Sequence, residues 1–385
     1  MRIIVLGCGN IGSVITQDLA ASLPSAEITM ADMDKNHVEE AATKIRKKNV
    51  YATQIDASKH KELVSVLRKF DLTVDALPGW LGYRVCKAAI YAKVDMVDVS
   101  YMPEDVMKLS KGASKAGMRL IPDCGMSPGI GNILVGHAVS RLDTVESIHI
   151  LNGGLPEKPI PPLGYVITWS VSDLIDMYFR KVNIVENGKK AQVEPMTGLE
   201  EIKFPRVGKL EAFYTDGLRT LLHSMKNVKE MWEKTLRYPG HVEKIRLLKA
   251  LGWFDEKPVN IGNLEVVPRD VAAKLLERKL KRPEISDIVA MLIEVVGLRG
   301  GKRIKYTYQM FDRFDKKHGV TSMARTTAYT ASVIAQLVAK KAVIEKGVMP
   351  PEKLGMNDQI YRRFLGLMKK RGIRIKETRK FLSSN

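Results

Sequence analysis

The first 123 residues alternate strand-like and helix-like segments, and no other feature of the chain constrains its fold as strongly. Six short segments rich in β-branched and other apolar residues predict strands, and the segments between them carry apolar residues at helical spacing. The six are RIIVLG, EITMAD, NVYATQID, LTVDAL, DMVDVS and MRLIPD. Strands that alternate with helices form parallel sheets, and right-handed crossovers cover both faces. The pattern predicts an α/β domain with a doubly wound parallel sheet of the Rossmann type.

A glycine-rich loop follows the first predicted strand and opens the first predicted helix. Its glycines, Gly7, Gly9 and Gly12, have the spacing G-x-G-x-x-G. The first glycine permits a tight turn, the second lets the backbone approach a pyrophosphate, and the third lets helix and strand pack closely. The N–H groups at the start of the helix, around Asn10 and Ile11, then face the phosphates. We therefore predict a dinucleotide-binding site that includes these five residues.

An acidic residue, Asp32, ends the second predicted strand, twenty residues after Gly12. A carboxylate at this point accepts hydrogen bonds from the hydroxyls of the adenosine ribose. It would repel the 2′-phosphate of NADP, and the neighbouring Met33 offers that phosphate no positive charge. We therefore predict NAD as the cofactor. The alternative is an ordinary strand-turn-helix unit with a surface aspartate.

Further cofactor contacts are predicted at the carboxyl ends of the later strands, where ligands of open parallel sheets bind. These candidates are Asp56, Leu77, Pro78, Asp123, Gly125 and Met126, together with Met33 beside Asp32. Asp123 should lie near the nicotinamide, which also makes it a catalytic candidate. The alternatives are a helix N-cap for Asp56, a plain turn at Leu77 and Pro78, and an N-cap or turn residue at Asp123.

The sequence pattern changes after Asp123. Strand-like segments with turn signals follow, among them YVITWS and a long pair joined by a Gly-Gly turn, which predicts a hairpin. A long helix rich in small residues is predicted from Thr321, and we expect it to pack on the first domain. The predicted domains are a dinucleotide-binding domain at 1–124 and 312–385 and an inserted α+β domain at 125–311. The inserted domain should carry a mixed sheet and serve substrate binding and dimerisation, so we expect a homodimer.

The formal net charge of +19 includes ten basic and two acidic residues within 353–385. A solvated helical face accounts for this stretch, and an acidic partner is the alternative. We favour the solvated face and expect no nucleic-acid partner.

Cysteine usage and hydropathy narrow the class of protein further. Cys8, Cys86 and Cys124 lack metal-type spacing, so we expect no metal, no disulfide and a cytoplasmic location. No apolar run approaches the length of a membrane span, and no hydrolase nucleophile elbow is present, so we expect neither a membrane partner nor a serine hydrolase.

Several longer segments resemble a known family. They are DCGMSPGIGNIL, GGLPEKPIPPLGYVITWS, LEAFYTDGLRTL, EKTLRYPGH and TSMARTTAYTASVIAQLV. The chain resembles the saccharopine dehydrogenase-like oxidoreductases over nearly its whole length, and within them it is most similar to the L-lysine 6-dehydrogenases. The resemblance implies NAD-dependent oxidation of the lysine side-chain amine, which yields ammonia and 2-aminoadipate 6-semialdehyde, a compound that cyclises to piperideine carboxylate.

The resemblance also implies site residues for an amino-acid substrate. The substrate-binding turn of the saccharopine reductases falls on Ser100 and Tyr101, and their Asp-x-Gly motif falls on Asp123 and Gly125. Their Thr-Leu-Arg-Tyr motif falls on residues 235–238, from Thr235 to Tyr238. The chain is too short for their larger helical insertion, which favours the lysine enzymes, whereas the turn at Ser100 is more saccharopine-like.

An amino-acid substrate needs an arginine for its carboxylate, an acceptor for its ammonium and a general base. Arg237 and Arg219 are the carboxylate candidates, and structural ion pairs are their alternative role. Asp123 or Asp216 could accept the ammonium. His241 is the main candidate for the base and Tyr238 a weaker one; a residue that begins a helix is the alternative for His241.

Two other functions stay open at this point. The first is a saccharopine reductase or a carboxylated-polyamine synthase on the same scaffold. The second is a non-catalytic module that binds NAD or nucleic acid.

Overall fold

The computed structural model describes residues 1–282 and 284–383, and its first part is a parallel sheet. The strands are β1 (Arg2–Leu6), β2 (Glu27–Asp32), β3 (Val50–Gln54), β4 (Leu72–Asp75), β5 (Asp95–Asp98) and β6 (Arg119–Ile121). The helices are α1 (Asn10–Ser22), α2 (Lys35–Ile45), α3 (His60–Leu67), α4 (Gly79–Ala92) and α5 (Ser110–Ala116), the last preceded by a 3-10 helix at Val106–Leu109. The order is β3-β2-β1-β4-β5-β6, with every neighbouring pair parallel. The chain reverses direction across the sheet between β1 and β4, where dinucleotides bind in such folds.

A mixed sheet forms the second layer of the molecule. Its strands and the adjoining hairpin are β7 (Thr144–Pro156), β8 (Val182–Glu186), β9 (Lys189–Val193), β10 (Glu200–Phe204), β11 (Gly208–Tyr214), β12 (Glu230–Arg237), β13 (Val259–Ile261), β14 (Leu264–Val266), β15 (Asp287–Arg299) and β16 (Lys302–Arg313). The helices are α6 (Ile130–Val139), α7 (Val171–Met177), α8 (Leu221–Ser224), α9 (His241–Ala250) and α10 (Pro268–Leu280). β12 and β7 pair in parallel at the centre, and β15 and β16 form the hairpin predicted from the Gly-Gly turn. β13 and β14 form a separate two-stranded sheet.

The C-terminal part of the chain contacts both layers. Its elements are α11 (Ser322–Ala339), β17 (Gly347–Val348), α12 (Pro351–Met356), α13 (Asp358–Lys370) and β18 (Ile375–Phe381). α11 packs on α1, where the partly buried carboxylate of Asp18 accepts hydrogen bonds from Ser332, Gln336 and Arg371. β17 extends the parallel sheet beside β6, whereas β18 pairs with β16 in the mixed sheet.

The predicted fold class, a doubly wound parallel sheet with a mixed-sheet domain, is confirmed. The predicted domain limits remain a prediction. They assign the C-terminal segment to the dinucleotide-binding domain, whereas its strand β18 pairs with β16 in the mixed sheet. The predicted strand YVITWS is wrong. Residues 165–168 are irregular and buried, and the N–H of Ile167 donates to the carbonyl of Leu280 rather than to a neighbouring strand. No helix within the described ranges is long and apolar enough to cross a membrane.

Candidate active site

A cleft of about 910 Å³ lies where the carboxyl ends of the parallel strands face β7 and β12 of the mixed sheet. Many predicted site residues line it: Gly7, Gly9, Asn10, Ile11, Asp32, Leu77, Pro78, Ser100, Tyr101, Asp123, Gly125, Met126, Thr235 and Arg237. Other predicted residues lie outside its lining: Gly12, Met33, Asp56, Arg219, Tyr238 and His241. The cleft therefore brings together residues of the parallel-sheet part and residues of β12 in the mixed sheet.

The glycine loop has the shape that a pyrophosphate requires. Gly7 has a φ of 93°, and a Cβ there would lie 2.8 Å from the carbonyl oxygen of Ala76. A Cβ on Gly12 would lie 1.9 Å from the carbonyl oxygen of Gly7, so this glycine allows α1 to pack against the turn. Gly9 borders open space and caps α1, whose first N–H groups face the cleft. The loop therefore fits a dinucleotide, with the phosphates at the helix N-terminus.

Asp32 ends β2 beside this loop. Its carboxylate accepts hydrogen bonds from the N–H of Cys8 at 3.0 Å and the N–H of Asp34 at 3.2 Å. Burial opposes its charge, but these donors outweigh burial and hold the pKa of Asp32 below its usual value. An ionised acceptor thus stands where the adenosine ribose of a dinucleotide would lie.

Two residues predicted to contact the cofactor do not line the cleft. Asp56 accepts hydrogen bonds from the N–H and hydroxyl of Ser58 at 3.0 and 2.6 Å, so its carboxylate is used in the turn before α3. Met33 is 70% exposed because its side chain points to solvent at the end of β2. Neither side chain lines the cleft, and both cofactor contacts stay predictions.

Asp123 follows β6 at the wall of the cleft. Its side chain is buried, and neither carboxylate oxygen accepts a hydrogen bond from the part of the chain that the structure describes. The guanidinium of Arg219 lies 3.4 Å from Oδ1 of Asp123 and 3.7 Å from Asp216. Although burial opposes the charge of Arg219, the two carboxylates raise its pKa. Arg219 therefore has the structural ion-pair role that was its alternative, and it lies outside the cleft lining.

The backbone is strained around this ion pair. Tyr101, Asp123 and Arg219 have φ values of 55°, 55° and 50°, in the left-handed region that non-glycine residues rarely occupy. The hydroxyl of Tyr101 donates to the carbonyl of Asp216 at 2.9 Å, and this tie holds the Tyr101 loop against the loop after β11. Ser100 is buried next to it, with its hydroxyl oxygen unpaired among the described residues. Such strain is concentrated at functional sites because the surrounding structure must enforce it.

One face of β12 supplies three polar side chains to the cleft, at every second residue: Glu233, Thr235 and Arg237. The guanidinium of Arg237 lies 4.5 Å from the ring centroid of Tyr165, and its Nε has no hydrogen-bond partner in the described chain. Nη1 of Arg237 donates to the carbonyl of Leu236 at 2.8 Å, so Nε is an unused donor of this cleft-lining residue.

Glu233 is the functional candidate that the sequence did not reveal. Thr215 donates a hydrogen bond to one of its oxygens at 2.6 Å, and Asn152 donates to the other. Burial raises its pKa to about 7, against the effect of these donors. The available signal was the alternation along β12, which places Glu233 on the same face as Arg237.

The two residues predicted as general bases, Tyr238 and His241, follow β12 and have structural roles. His241 is 1% exposed, with Nδ1 at 2.9 Å from the carbonyl oxygen of Leu163 and Nε2 at 2.8 Å from the Tyr178 hydroxyl. Burial, together with the charge of Arg237, lowers its pKa to about 3. The hydroxyl of Tyr238 donates to the carbonyl of Pro156. Both side chains are used in packing outside the cleft, so these two predictions do not agree with the structure.

The glycine loop and the cleft that it lines have the form of a dinucleotide-binding site of the Rossmann type. Residues 3–121 match the saccharopine dehydrogenase NADP binding domain, and residues 125–373 match the saccharopine dehydrogenase C-terminal domain. The chain therefore belongs to the saccharopine dehydrogenase family, as its resemblance implied.

Curated relatives span several activities. The mitochondrial alpha-aminoadipic semialdehyde synthase of Bos taurus is 29% identical over 265 residues, which are 65% of this chain and 28% of that protein. The saccharopine dehydrogenase [NADP(+), L-glutamate-forming] of Saccharomyces cerevisiae is 24% identical over 305 residues, 76% of this chain and 66% of that protein. The carboxyaminopropylagmatine dehydrogenase of a Synechocystis strain is 21% identical over 87% of each chain. This chain thus spans less than a third of the bovine protein.

A solved structure shares the whole fold. The apo saccharopine dehydrogenase (L-Glu forming) of Saccharomyces cerevisiae superposes with a TM-score of 0.79 at 19% identity, covering 98% of this chain and 99% of that one.

Proposed function

We propose that this protein oxidises the side-chain amine of L-lysine with NAD⁺. The reaction converts lysine, NAD⁺ and water into 2-aminoadipate 6-semialdehyde, ammonium, NADH and a proton. The observation that carries the proposal is the pair formed by Glu233 and Arg237 on one face of β12, in a cleft that also holds the dinucleotide loop. Glu233 is suited to deprotonate an amine, and Arg237 is suited to bind a carboxylate.

The distance between these two residues suits the length of lysine. β12 rises about 3.3 Å per residue, so their Cα atoms lie about 13 Å apart. An extended lysine separates its side-chain nitrogen from its carboxylate carbon by about 7 Å. Hydrogen bonds of about 3 Å at each end bring the span to about 13 Å. An extended lysine that lies along β12 therefore has a span close to the spacing of these two Cα atoms, and both side chains project from the same face of the strand.

Glu233 is proposed as the general base. An alkylammonium must lose a proton before its carbon can be oxidised, and a base with a pKa near the working pH does this best. Burial raises the pKa of Glu233 to about 7, within that range. When bound, NAD⁺ accepts a hydride from the carbon that carries the nitrogen. Asp123 is paired with Arg219, and its carboxylate oxygens accept no hydrogen bond within the described chain, so it can hold the water that completes the reaction.

NAD is proposed over NADP because of Asp32. Its carboxylate is ionised and lies beside the glycine loop, where a 2′-phosphate would meet a like charge. The family description and the yeast relative name NADP, so this choice depends on the chemistry of this chain's own residues.

One observation favours a second candidate. Lys281 and Arg282 also line the cleft, and two more cations suit a substrate with several carboxylates, such as saccharopine. The test is to supply NAD⁺ with lysine, ornithine, saccharopine or diamines separately and to follow NADH formation. Lysine alone should suffice. Turnover with saccharopine and none with lysine would reject the lysine proposal in favour of the second candidate.

A further inference from the structure

Three potential metal ligands meet at the edge of the dinucleotide loop. Cys8 follows β1, Asp32 ends β2 and His37 lies in the first turn of α2. One thiol, one carboxylate oxygen and one imidazole nitrogen of these residues lie within 4.8 Å of one another. Because the ligands come from three separate elements, their spacing along the chain gives no metal motif.

The arrangement has the dimensions of a tetrahedral zinc site. Bonds of about 2.3 Å to sulfur and about 2.0 Å to nitrogen separate two such ligands by about 3.5 Å. Sγ of Cys8 lies 3.4 Å from Nδ1 of His37. Cys8 is 2% exposed, whereas His37 is exposed, so an ion could enter from the His37 side and leave its fourth position to water.

We propose that Cys8, Asp32 and His37 form a binding site for Zn²⁺ or a similar thiophilic divalent cation, and that the ion competes with the dinucleotide. Asp32 carries the competition, since its carboxylate cannot bind the ion and the ribose hydroxyls in the same way. A bound cation would replace the thiol proton of Cys8. This inference requires the dinucleotide site alone and is independent of the lysine proposal.

Co²⁺ provides a direct test, because cobalt bound to a thiolate absorbs in the near ultraviolet. Titration of the cofactor-free protein with Co²⁺ should produce this band, and Zn²⁺ or NADH should remove it. Cys8→Ser should abolish the band, and His37→Gln should weaken Co²⁺ binding by at least about tenfold. His60→Gln is the matched control, because His60 is also an exposed histidine in a first helical turn, and it should leave the band unchanged.

NADH affinity gives a second measurement. Saturating Zn²⁺ should raise the apparent Kd for NADH by at least about tenfold in the wild type and by less than about twofold in Cys8→Ser, each relative to the same protein without metal. Absence of the band in the wild type, or its survival in Cys8→Ser, would overturn the site. A band with NADH affinity unaffected by Zn²⁺ would overturn the competition. No substrate is present in either experiment, so these failures are distinct from a failure of lysine oxidation.

Discussion

Replacing Glu233 with glutamine removes the proposed base while nearly preserving its volume. General-base catalysis contributes about 10²–10⁴-fold, so kcat/KM for lysine should fall by that factor. In the wild type the active form of Glu233 is ionised, and its pKa is about 7. The plot of log kcat/KM against pH should therefore rise toward about pH 7 and then level off, and the variant should lack this limb.

The same substitution should change the pH dependence of stability. Unfolded glutamate titrates near 4.5, whereas buried Glu233 keeps its proton up to about pH 7. The native state thus binds more protons between these values, and the free energy of unfolding falls as pH rises through them. A shift of this size corresponds to about 3 kcal/mol. Glu233→Gln should therefore be more stable than the wild type at pH 8, by up to about 3 kcal/mol in urea unfolding.

Glu230→Gln is the control, because Glu230 begins the same strand on the opposite, exposed face. It should change neither the rate nor the pH profile. A loss below about threefold in Glu233→Gln would refute the assignment, since a general base contributes far more. A pH limb that persists in the variant would refute it equally.

Three further predictions concern other parts of the molecule. Arg237→Ala should lower kcat/KM for lysine about thirtyfold to several thousandfold, with Arg237→Lys a partial rescue and NADH binding unchanged; a loss under about threefold would exclude a carboxylate contact. Asp32→Ala should narrow the preference for NAD over NADP in steady-state kinetics, and a wild type that prefers NADP by about tenfold would contradict the ribose argument. A chain that ends at Asp312 loses α11 and should be insoluble or unable to bind NADH in a fluorescence titration. A folded truncation with unchanged affinity would contradict that role of α11.

Local patterns were sufficient to predict the parallel sheet and the dinucleotide loop. The determinants there are close in sequence: strand, glycine turn and helix occur within 22 residues, ending at Ser22. The strand prediction for YVITWS was wrong because an apolar run of that length suits a strand and a buried irregular segment equally well.

The cleft depended on contacts that the chain pattern does not encode. His241 begins helix α9 in a polar segment, yet burial removes it from chemistry and lowers its pKa. Arg219 forms an ion pair with Asp123, which is distant from it in the sequence. Glu233 acquires its raised pKa only because the fold buries it, against the effect of the donors Thr215 and Asn152. Burial and pairing between distant elements decided each of these roles.

The most direct test follows the nitrogen of lysine itself. L-Lysine labelled isotopically at the side-chain nitrogen is incubated with the enzyme and NAD⁺, and NADH and labelled ammonium are measured together. Side-chain oxidation predicts equal amounts of NADH and labelled ammonium from lysine alone, and the label should leave at that ratio throughout the reaction. Unlabelled ammonium from the α-position, or NADH formation only when saccharopine replaces lysine, would contradict the account.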